Sequence, residues 1–384
     1  MLIIIEILLI LLAFMNPRSK KVAKTIILFM ILIYGLNTYS GDYLAYQGVY
    51  NNISSYGLTH YEFLFSLLMM ICSKLGLTFI QFRMVLGVIY SVLCYKNFNT
   101  YTKYIALALA LSMIFPFTYY VSVLRAGIAA MIMIYGIRFL NPETKKGVVK
   151  FIVLIIICSL FHYSSIFFLL LIIARRGVNY KYLFYILLGT CVVAYGFNNL
   201  ELLTGIIGHF TDRAKTLQWF SNSANINLNW KGILIQVLIV LMNILINRMA
   251  KKQIDKNSFL LSNVYISTQQ YLTGDIAFYR WFSEISNNAA YLMIVFIPFM
   301  FVNDVAMRFA WAILSITICS CLNSVYLSDL LRREVYGSRR GVVTLMQLVI
   351  IAFVVSVAIY TNLPYMGTEN SSVRLFYNNL LNIF

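Results

Sequence analysis

VSVLRAGIAAMIMIYG, residues 121–136, carries one charge, Arg125, in an otherwise apolar run, and CSLFHYSSIFFLLL, residues 158–171, carries one imidazole, His162, in another. Both runs are long enough to lie in a bilayer, where a charge at the centre costs at least about 2.5–3.5 kcal/mol, so a lone intramembrane arginine reads first as a functional group. Whether these runs are membrane segments or core helices of a soluble protein decides the fold. The composition answers it. Hydrophobic residues make up 61% of the chain and charged residues 11%, against about 45–50% and about 25% in soluble domains. The apolar residues come in repeated blocks separated by short polar stretches, the pattern of an all-α, polytopic integral membrane protein.

The blocks fall at 2–15, 24–40, 61–76, 79–95, 104–117, 119–140, 149–174, 182–198, 231–248, 284–302, 305–323 and 342–362. They predict about 11–14 transmembrane or partly inserted helices, several of them shorter than the 20 or so residues of a full crossing. Short helices are tolerated where they line a cavity enclosed by protein. No soluble domain, tandem repeat or low-complexity tract interrupts the series, so residues 1–384 read as a single transmembrane domain. Segment 2–15 has no basic residue before it, whereas Arg18, Lys20, Lys21 and Lys24 follow it. That order fits a retained helix with its N-terminus outside, not a signal peptide.

The net charge of +17 follows from Lys and Arg collecting in cytoplasmic loops, with part of it available to an anionic substrate, and implies no nucleic acid. Loops 16–24, 141–150, 248–256 and 328–341 are basic and read as inside. Residues 25–73 contain no Lys or Arg, so the polar loop 41–60 reads as outside, as does the long loop 199–230, whose Trp219 and Trp230 suit an interfacial belt. Two stretches resist this scheme. Segment 149–174 is basic at both ends and would be about 39 Å long as one helix; splitting it at His162 puts both basic ends inside and His162 at an outer apex. Two crossings within 60–103 would leave Lys96 and Lys103 on the wrong side. Residues 257–283 are half polar and fit either a weak span or a helix lying at the surface.

The candidate site residues follow from this map. Arg125, near the outer end of 119–140, is either an arginine snorkelling to the headgroups or an anion clamp, because a guanidinium offers a permanently charged planar fork to phosphate oxygens. His162 is either a core histidine bonded to a backbone carbonyl or a general acid/base. Asp42, with Tyr43 and Tyr46 in SGDYLAYQGVYNN, suits sugar hydroxyls and sugar rings, or an interfacial aromatic belt. Glu62 either contributes a carboxylate or serves as a partner for its own helix dipole. Arg280 lies four residues from Glu284 and forms either an intrahelical pair or a second phosphate contact. His209, Asp212 and Arg213 in the long outer loop are candidate substrate contacts. The six cysteines lie in apolar segments with no disulfide or zinc spacing, and no Walker, Rossmann or serine-hydrolase motif occurs. No metal and no cofactor is therefore expected.

At these residues the chain resembles the EpsG-like family of bacterial exopolysaccharide proteins, relatives of Wzy-type polysaccharide polymerases. The resemblance rests on Asp42 and Tyr46 after the second helix, Glu62 opening the third, Leu124, Arg125, Ile128 and Ala129 as an LR-x-x-[IL]-A stretch, and Phe161, His162 and Ser164 as [FL]-H-x-S, with Arg280 as a weaker match. The family commonly has Gln where this chain has Ala126. The resemblance implies a GT-C-like glycosyltransferase in the bacterial cytoplasmic membrane, with its active site facing outside, that polymerises repeat units. Donor and acceptor would be undecaprenyl-pyrophosphate-linked oligosaccharides, with membrane lipids around the protein and a chain-length regulator as a further partner class. His162, Arg125 and Asp42 would be catalytic; Arg280, Glu62, Tyr46, Tyr43, His209 and Arg213 would bind substrate. A transporter or flippase of the same lipid-linked sugar, and a membrane O-acyltransferase built on the histidine, are the competing classes.

Overall fold

Residues 2–38, 42–58, 60–178, 180–198, 230–265, 270–300, 307–336 and 345–362 are described in the computed structural model, and every element among them is a helix. The chain is all-α. His209, Asp212, Arg213 and the rest of loop 199–229 lie outside the described residues.

Helix α1 (Leu2–Met15) leads through Ser19, whose hydroxyl accepts from Val22 N–H at 3.3 Å, into α2 (Lys20–Leu36). The short helices α3 (Tyr43–Asn51) and α4 (Ile53–Tyr56) follow, then α5 (Phe63–Lys74) and α6 (Phe79–Tyr101). A reciprocal cap starts α6: Gln81 N–H donates to the Thr78 hydroxyl, and Thr78 N–H donates to the Gln81 side chain, which satisfies two otherwise orphaned donors. Both ends of α5 rest on α3. Tyr46 meets Phe65 near its start, and Tyr50 donates to the Leu77 carbonyl at 2.7 Å just beyond its end. At 12 residues α5 is about 18 Å long and does not carry the chain across the molecule. The 23-residue α6 is the longer of the two, with Lys96 near its end and Lys103 just beyond it.

Helices α2 and α6 cross closely because small residues meet there. A Cβ on Gly87 would sit 3.1 Å from the Tyr34 Cβ and 3.2 Å from the Ile31 carbonyl oxygen, and one on Gly35 would strike Met84. Small residues let helix backbones approach in this way. Gly87→Leu is expected to destabilise the protein by about 1–3 kcal/mol, the usual cost of overpacking, read as a lowered unfolding midpoint in detergent.

After α7 (Ile105–Ser112) the helix loosens over Met113–Phe117, where Phe115 is extended and Pro116 supplies no N–H; proline removes a helical hydrogen bond and disfavours helix at the residue before it. A single turn, α8 (Thr118–Tyr120), precedes α9 (Leu124–Gly136). The helix expected over 119–140 is therefore shorter, and Arg125 is its second residue instead of its seventh. A 3-10 turn over Ile137–Leu140 ends it.

The predicted split at His162 is present. Helix α10 (Gly147–Phe161) stops there; a 3-10 helix over Tyr163–Leu170 and α11 (Leu171–Arg175) return the chain. The outgoing arm is about 22 Å long. The return arm has fewer residues but nearly equal length, about 24 Å, because a 3-10 helix rises about 2 Å per residue. Arg175 accordingly ends at the foot of the hairpin and donates to the Pro142 carbonyl at 3.5 Å, in the loop that carries Lys145 and Lys146.

The rest comprises α12 (Tyr180–Asn198), α13 (Trp230–Tyr265), α14 (Gln270–Leu292), a 3-10 turn over Met293–Phe296 with the single-turn α15 (Ile297–Met300), α16 (Met307–Tyr336) and α17 (Leu345–Asn362). Part of the ambiguous stretch 257–283 thus extends α13, and part begins α14. Among the described residues two helices, Phe79–Tyr101 and Arg308–Arg333, have the length and apolarity to cross a membrane; the other apolar helices, such as Gly147–Phe161 and Met346–Ile359, are shorter. The expected 11–14 transmembrane or partly inserted helices appear as a series of helices of which, among the described residues, Phe79–Tyr101 and Arg308–Arg333 have the length and apolarity of a full span; the expected helix 104–117 is shortened at Met113, before Pro116.

The interior is apolar, and apolar side chains also lie on the outer surface. Ile4, Ile7, Leu8, Leu11 and Leu12 are exposed on α1, and Leu234, Leu238, Leu241 and Leu245 form an exposed stripe on α13. Asn243, Asn247, Ser286 and Thr317 are buried and bonded to one another: Ser286 donates to Asn247 Oδ1 at 2.6 Å, and Asn247 to the Thr317 hydroxyl at 2.7 Å.

Candidate active site

Four chain segments converge beside α3. Arg125 sits in the first turn of α9, where the helix dipole disfavours a cation, so its charge needs a partner from elsewhere. Glu62 supplies it. Glu62 is the N-cap of α5, yet its side chain does not cap that helix. The carboxylate turns away from the local donors that an N-cap acid ordinarily serves. One oxygen takes a hydrogen bond from Arg125 Nη1. The other accepts from the Tyr163 N–H at 3.1 Å and lies 3.2 Å from His162 Nδ1. Its side chain is 3% exposed, so a broader role than dipole partner is evident.

His162 caps the end of α10 and opens the return arm. Its ring is bonded to side chains and not to a carbonyl. Nδ1 faces Glu62, and Nε2 lies 2.9 Å from Nη1 of Arg308, the second residue of α16. Arginine only donates and an ionised carboxylate only accepts. The ring is therefore neutral, with its proton on Nδ1 and its lone pair on Nε2. Glu62 and His162 both lie in the connections between helices. Burial alone would raise the Glu62 carboxyl, but the His162 hydrogen bond and the charge of Arg125 outweigh it and hold the group down at about 2. Burial lowers the imidazole, and the charges of Arg308 and Arg125 add to this, against the pull of Glu62.

Aromatic rings complete the arginine's setting. Arg125 Nε donates to the Tyr46 hydroxyl at 3.3 Å, and its guanidinium stands 4.4 Å from the Tyr61 ring centre, within cation–π range. Asp42, exposed at the head of α3, acts electrostatically on Tyr46 and Tyr61. Tyr43 packs edge-on to Phe79 at 5.2 Å and covers Arg83 at 5.3 Å. Arg83 is fully buried and donates to the Tyr34 carbonyl at 3.0 Å. A cavity of about 470 Å³ opens one turn along α3 from Tyr46, lined by Gln47, Tyr50, Asn51, Ser73, Thr78 and Phe79.

Of the predicted site residues, Arg125, Glu62, His162 and Tyr46 come together, Tyr43 and Asp42 flank them, and Arg280 does not join them. Arg280 is exposed and 3.7 Å from Asp255 on α13, while Glu284 pairs with Lys251 of the same helix at 3.9 Å; these contacts replace the intrahelical pair expected between Arg280 and Glu284. Its neighbours Phe278 and Phe282 stack on Tyr101, at the opposite end of α6 from the Tyr43–Phe79 contact. Arg308 and Arg83 were missed by sequence reading, although each is a lone arginine heading an apolar run, MRFAWAILSI and FRMVLGVIYS, the signal that identified Arg125. Among the described residues no group of three or more His, Cys, Asp or Glu is arranged to hold a metal ion.

The arrangement joins a guanidinium, a carboxylate, an imidazole and a second guanidinium in one chain of contacts: cations to bind an anion, and a neutral imidazole oriented by an acid. The EpsG family model matches residues 20–367, nearly the whole chain. The chain belongs to the EpsG family. This family is typically membrane-associated and is associated with polysaccharide polymerases of exopolysaccharide biosynthesis. No curated protein and no solved structure matches the EpsG-family chain.

Proposed function

We propose that this EpsG-family protein is a GT-C-like membrane glycosyltransferase that polymerises undecaprenyl-diphosphate-linked oligosaccharide repeats on the outer side of the bacterial cytoplasmic membrane. The observation that carries the reading is the joining of Arg125 and His162 through one buried carboxylate, Glu62.

Glycosyl transfer from a lipid diphosphate breaks the bond between the anomeric carbon and the phosphate oxygen, and the electron pair leaves with the diphosphate. Fixed donors aimed at developing charge are the largest single contribution to such steps. Arg125 retains two Nη2 hydrogens after serving Glu62 and Tyr46 and is suited to that task. The attacking hydroxyl of the acceptor sugar surrenders its proton as the new bond forms, and His162 Nε2 is the basic atom at hand, with Glu62 behind Nδ1 to stabilise the imidazolium. Diphosphate departure supplies the driving force.

The membrane setting is supported by the exposed leucine and isoleucine stripes, which in water would be an extensive apolar surface. The orientation is supported by where the basic residues collect. Lys103, Arg18 against Tyr104, Arg138 beside Tyr101 and Arg175 at Pro142 all lie toward the Tyr101 end of α6. The positive-inside rule puts that end in the cytoplasm, and hence Glu62 and His162 outside. The cavity beside Tyr46, with amides and hydroxyls around two rings, suits the sugar part of a repeat unit. Asn51→Trp, which fills it from an exposed position, is expected to shorten the polymer without abolishing transfer, visible as a downward shift in the length ladder on a gel.

The test of function uses purified protein in liposomes supplied with lipid-linked repeats on one leaflet only. Lengthening of the repeats without added nucleotide sugar supports the polymerase. Movement of unaltered repeats to the other leaflet would instead assign a carrier and overturn the reading.

A further inference from the structure

We infer that Arg308 caps the lone pair of His162 in the resting protein and that the donor's diphosphate removes the cap, so that the base is released only when the donor is in place. The inference rests on the proposed glycosyl transfer and concerns the order of events in the same site.

The geometry leaves His162 no free basic nitrogen at rest. Nδ1 is turned to Glu62 at 3.2 Å, and Nε2 accepts from Arg308 Nη1 at 2.9 Å. The ring is buried, and Arg308 is half-buried. An acceptor hydroxyl cannot deliver its proton to Nε2 until the guanidinium moves. The cap is a single donor to a neutral acceptor. A phosphate offers two charged oxygens to the same planar fork, which adds a second bond, opposite charge and matched geometry. An arriving diphosphate therefore competes for Arg308 on favourable terms. The backbone beneath Arg308 is anchored, since Phe309 stacks on Phe296 at 4.3 Å and on Phe168 at 5.2 Å. The exchange is then a movement of the side chain and not of the helix.

The steps balance. Arg308 transfers its hydrogen bond from Nε2 to a phosphate oxygen. The acceptor oxygen bonds to the anomeric carbon, the carbon–oxygen bond to phosphate breaks, and the electron pair leaves on the diphosphate between Arg125 and Arg308. The hydroxyl proton passes to Nε2, and the imidazolium is held by Glu62 until water takes the proton after product release. Without a donor, Nε2 stays covered, which prevents idle activation of water or of an acceptor. Among the described residues, the charged and titratable groups facing this imidazole are Glu62 from the head of α5, Arg125 from α9 and Arg308 from α16. Tyr46, Tyr61 and Tyr120 pack around the arginines, and Asp42 stands at the head of α3.

The 384-residue chain contains three histidines, so nitrogen-15 imidazole resonances in a nanodisc sample are few, and His162 is identified by the signal lost in His162→Gln. Inorganic diphosphate is the probe, its binding measured separately by calorimetry. The expected result is an Nε2 unprotonated at neutral pH without diphosphate, and a protonation midpoint that rises by at least about one pH unit, tenfold in proton affinity, on saturation. Arg308→Gln is expected to show the raised midpoint from the start and no response to diphosphate. Arg308→Lys, which keeps the charge, is expected to keep the low midpoint and so controls for loss of fold. Diphosphate that binds the wild type without moving the His162 midpoint, or an Arg308→Gln protein that titrates as the wild type does, would overturn the inference while leaving the glycosyltransferase reading intact. Failure of diphosphate to bind at all would remove both.

Discussion

Arg125→Ala is expected to insert and fold and to make no long polysaccharide, with lipid-linked single repeats accumulating in the membrane. Arg125 is half-buried, with its side chain 23% exposed, so truncation admits water to the Glu62 carboxylate, which also keeps the Tyr163 N–H and the His162 ring as partners; some stability is lost, but the fold is expected to hold. What it removes is the donor set facing the leaving diphosphate. Loss of one fixed donor at a developing oxyanion costs about 10²–10³ in rate, and here the lost donor is also a full charge. Arg125→Lys is expected to recover little. Lysine's compact ammonium has no rigid fork with which to serve Glu62, Tyr46 and a phosphate together. The measurement is the ratio of polymer to single repeat in labelled lipid extracts, with protein level followed in parallel. Normal chain lengths in Arg125→Ala would refute the proposed role.

Glu62→Ala is expected to be the most damaging single change, because it acts on stability and on chemistry at once. It takes the common acceptor from Arg125, from the His162 ring and from the Tyr163 N–H. Breaking a buried ion pair from one side typically costs about 3–5 kcal/mol, since a charge is left without compensation. A lowered unfolding midpoint is the readout. Glu62→Gln separates the two effects. It keeps the shape and one acceptor oxygen, so much of the fold is retained, but it lacks the charge that holds an imidazolium. Polymerisation in Glu62→Gln is expected to fall by at least about 10²-fold, the low end of a positioned general-base contribution, while protein yield stays close to normal. Equal losses of yield and activity in both variants would reduce Glu62 to a structural residue.

The interruption at His162 was legible because it follows from local charge: basic residues at both ends of 149–174 cannot both face the cytoplasm unless the chain turns back. Arg125 was picked out because one guanidinium in an apolar run is conspicuous, and it does meet the buried Glu62. The same rule applied evenly would have found Arg308 and Arg83. Arg280 lies apart from the group around Glu62, among the charged pairs at the far end of α6 with Asp255, Glu284 and Lys251, a placement that hydropathy along the chain does not encode. Helix α5 is apolar enough to pass for a span, and only its contacts with α3 at both ends show that it runs beside that helix.

Composition, the period of apolar blocks and the charge of the loops sufficed to predict an all-helical chain, a break at His162 and a small roster of polar side chains in apolar surroundings. Those properties are local or additive, so each residue contributes to them wherever its partners lie. The tertiary structure alone decided that Glu62 meets Arg125 across 63 residues, His162 across 100, and that Arg308 meets His162 across 146. Such contacts are closed by helix packing, through glycine crossings and aromatic stacks far from the site, and no periodicity along the chain encodes them.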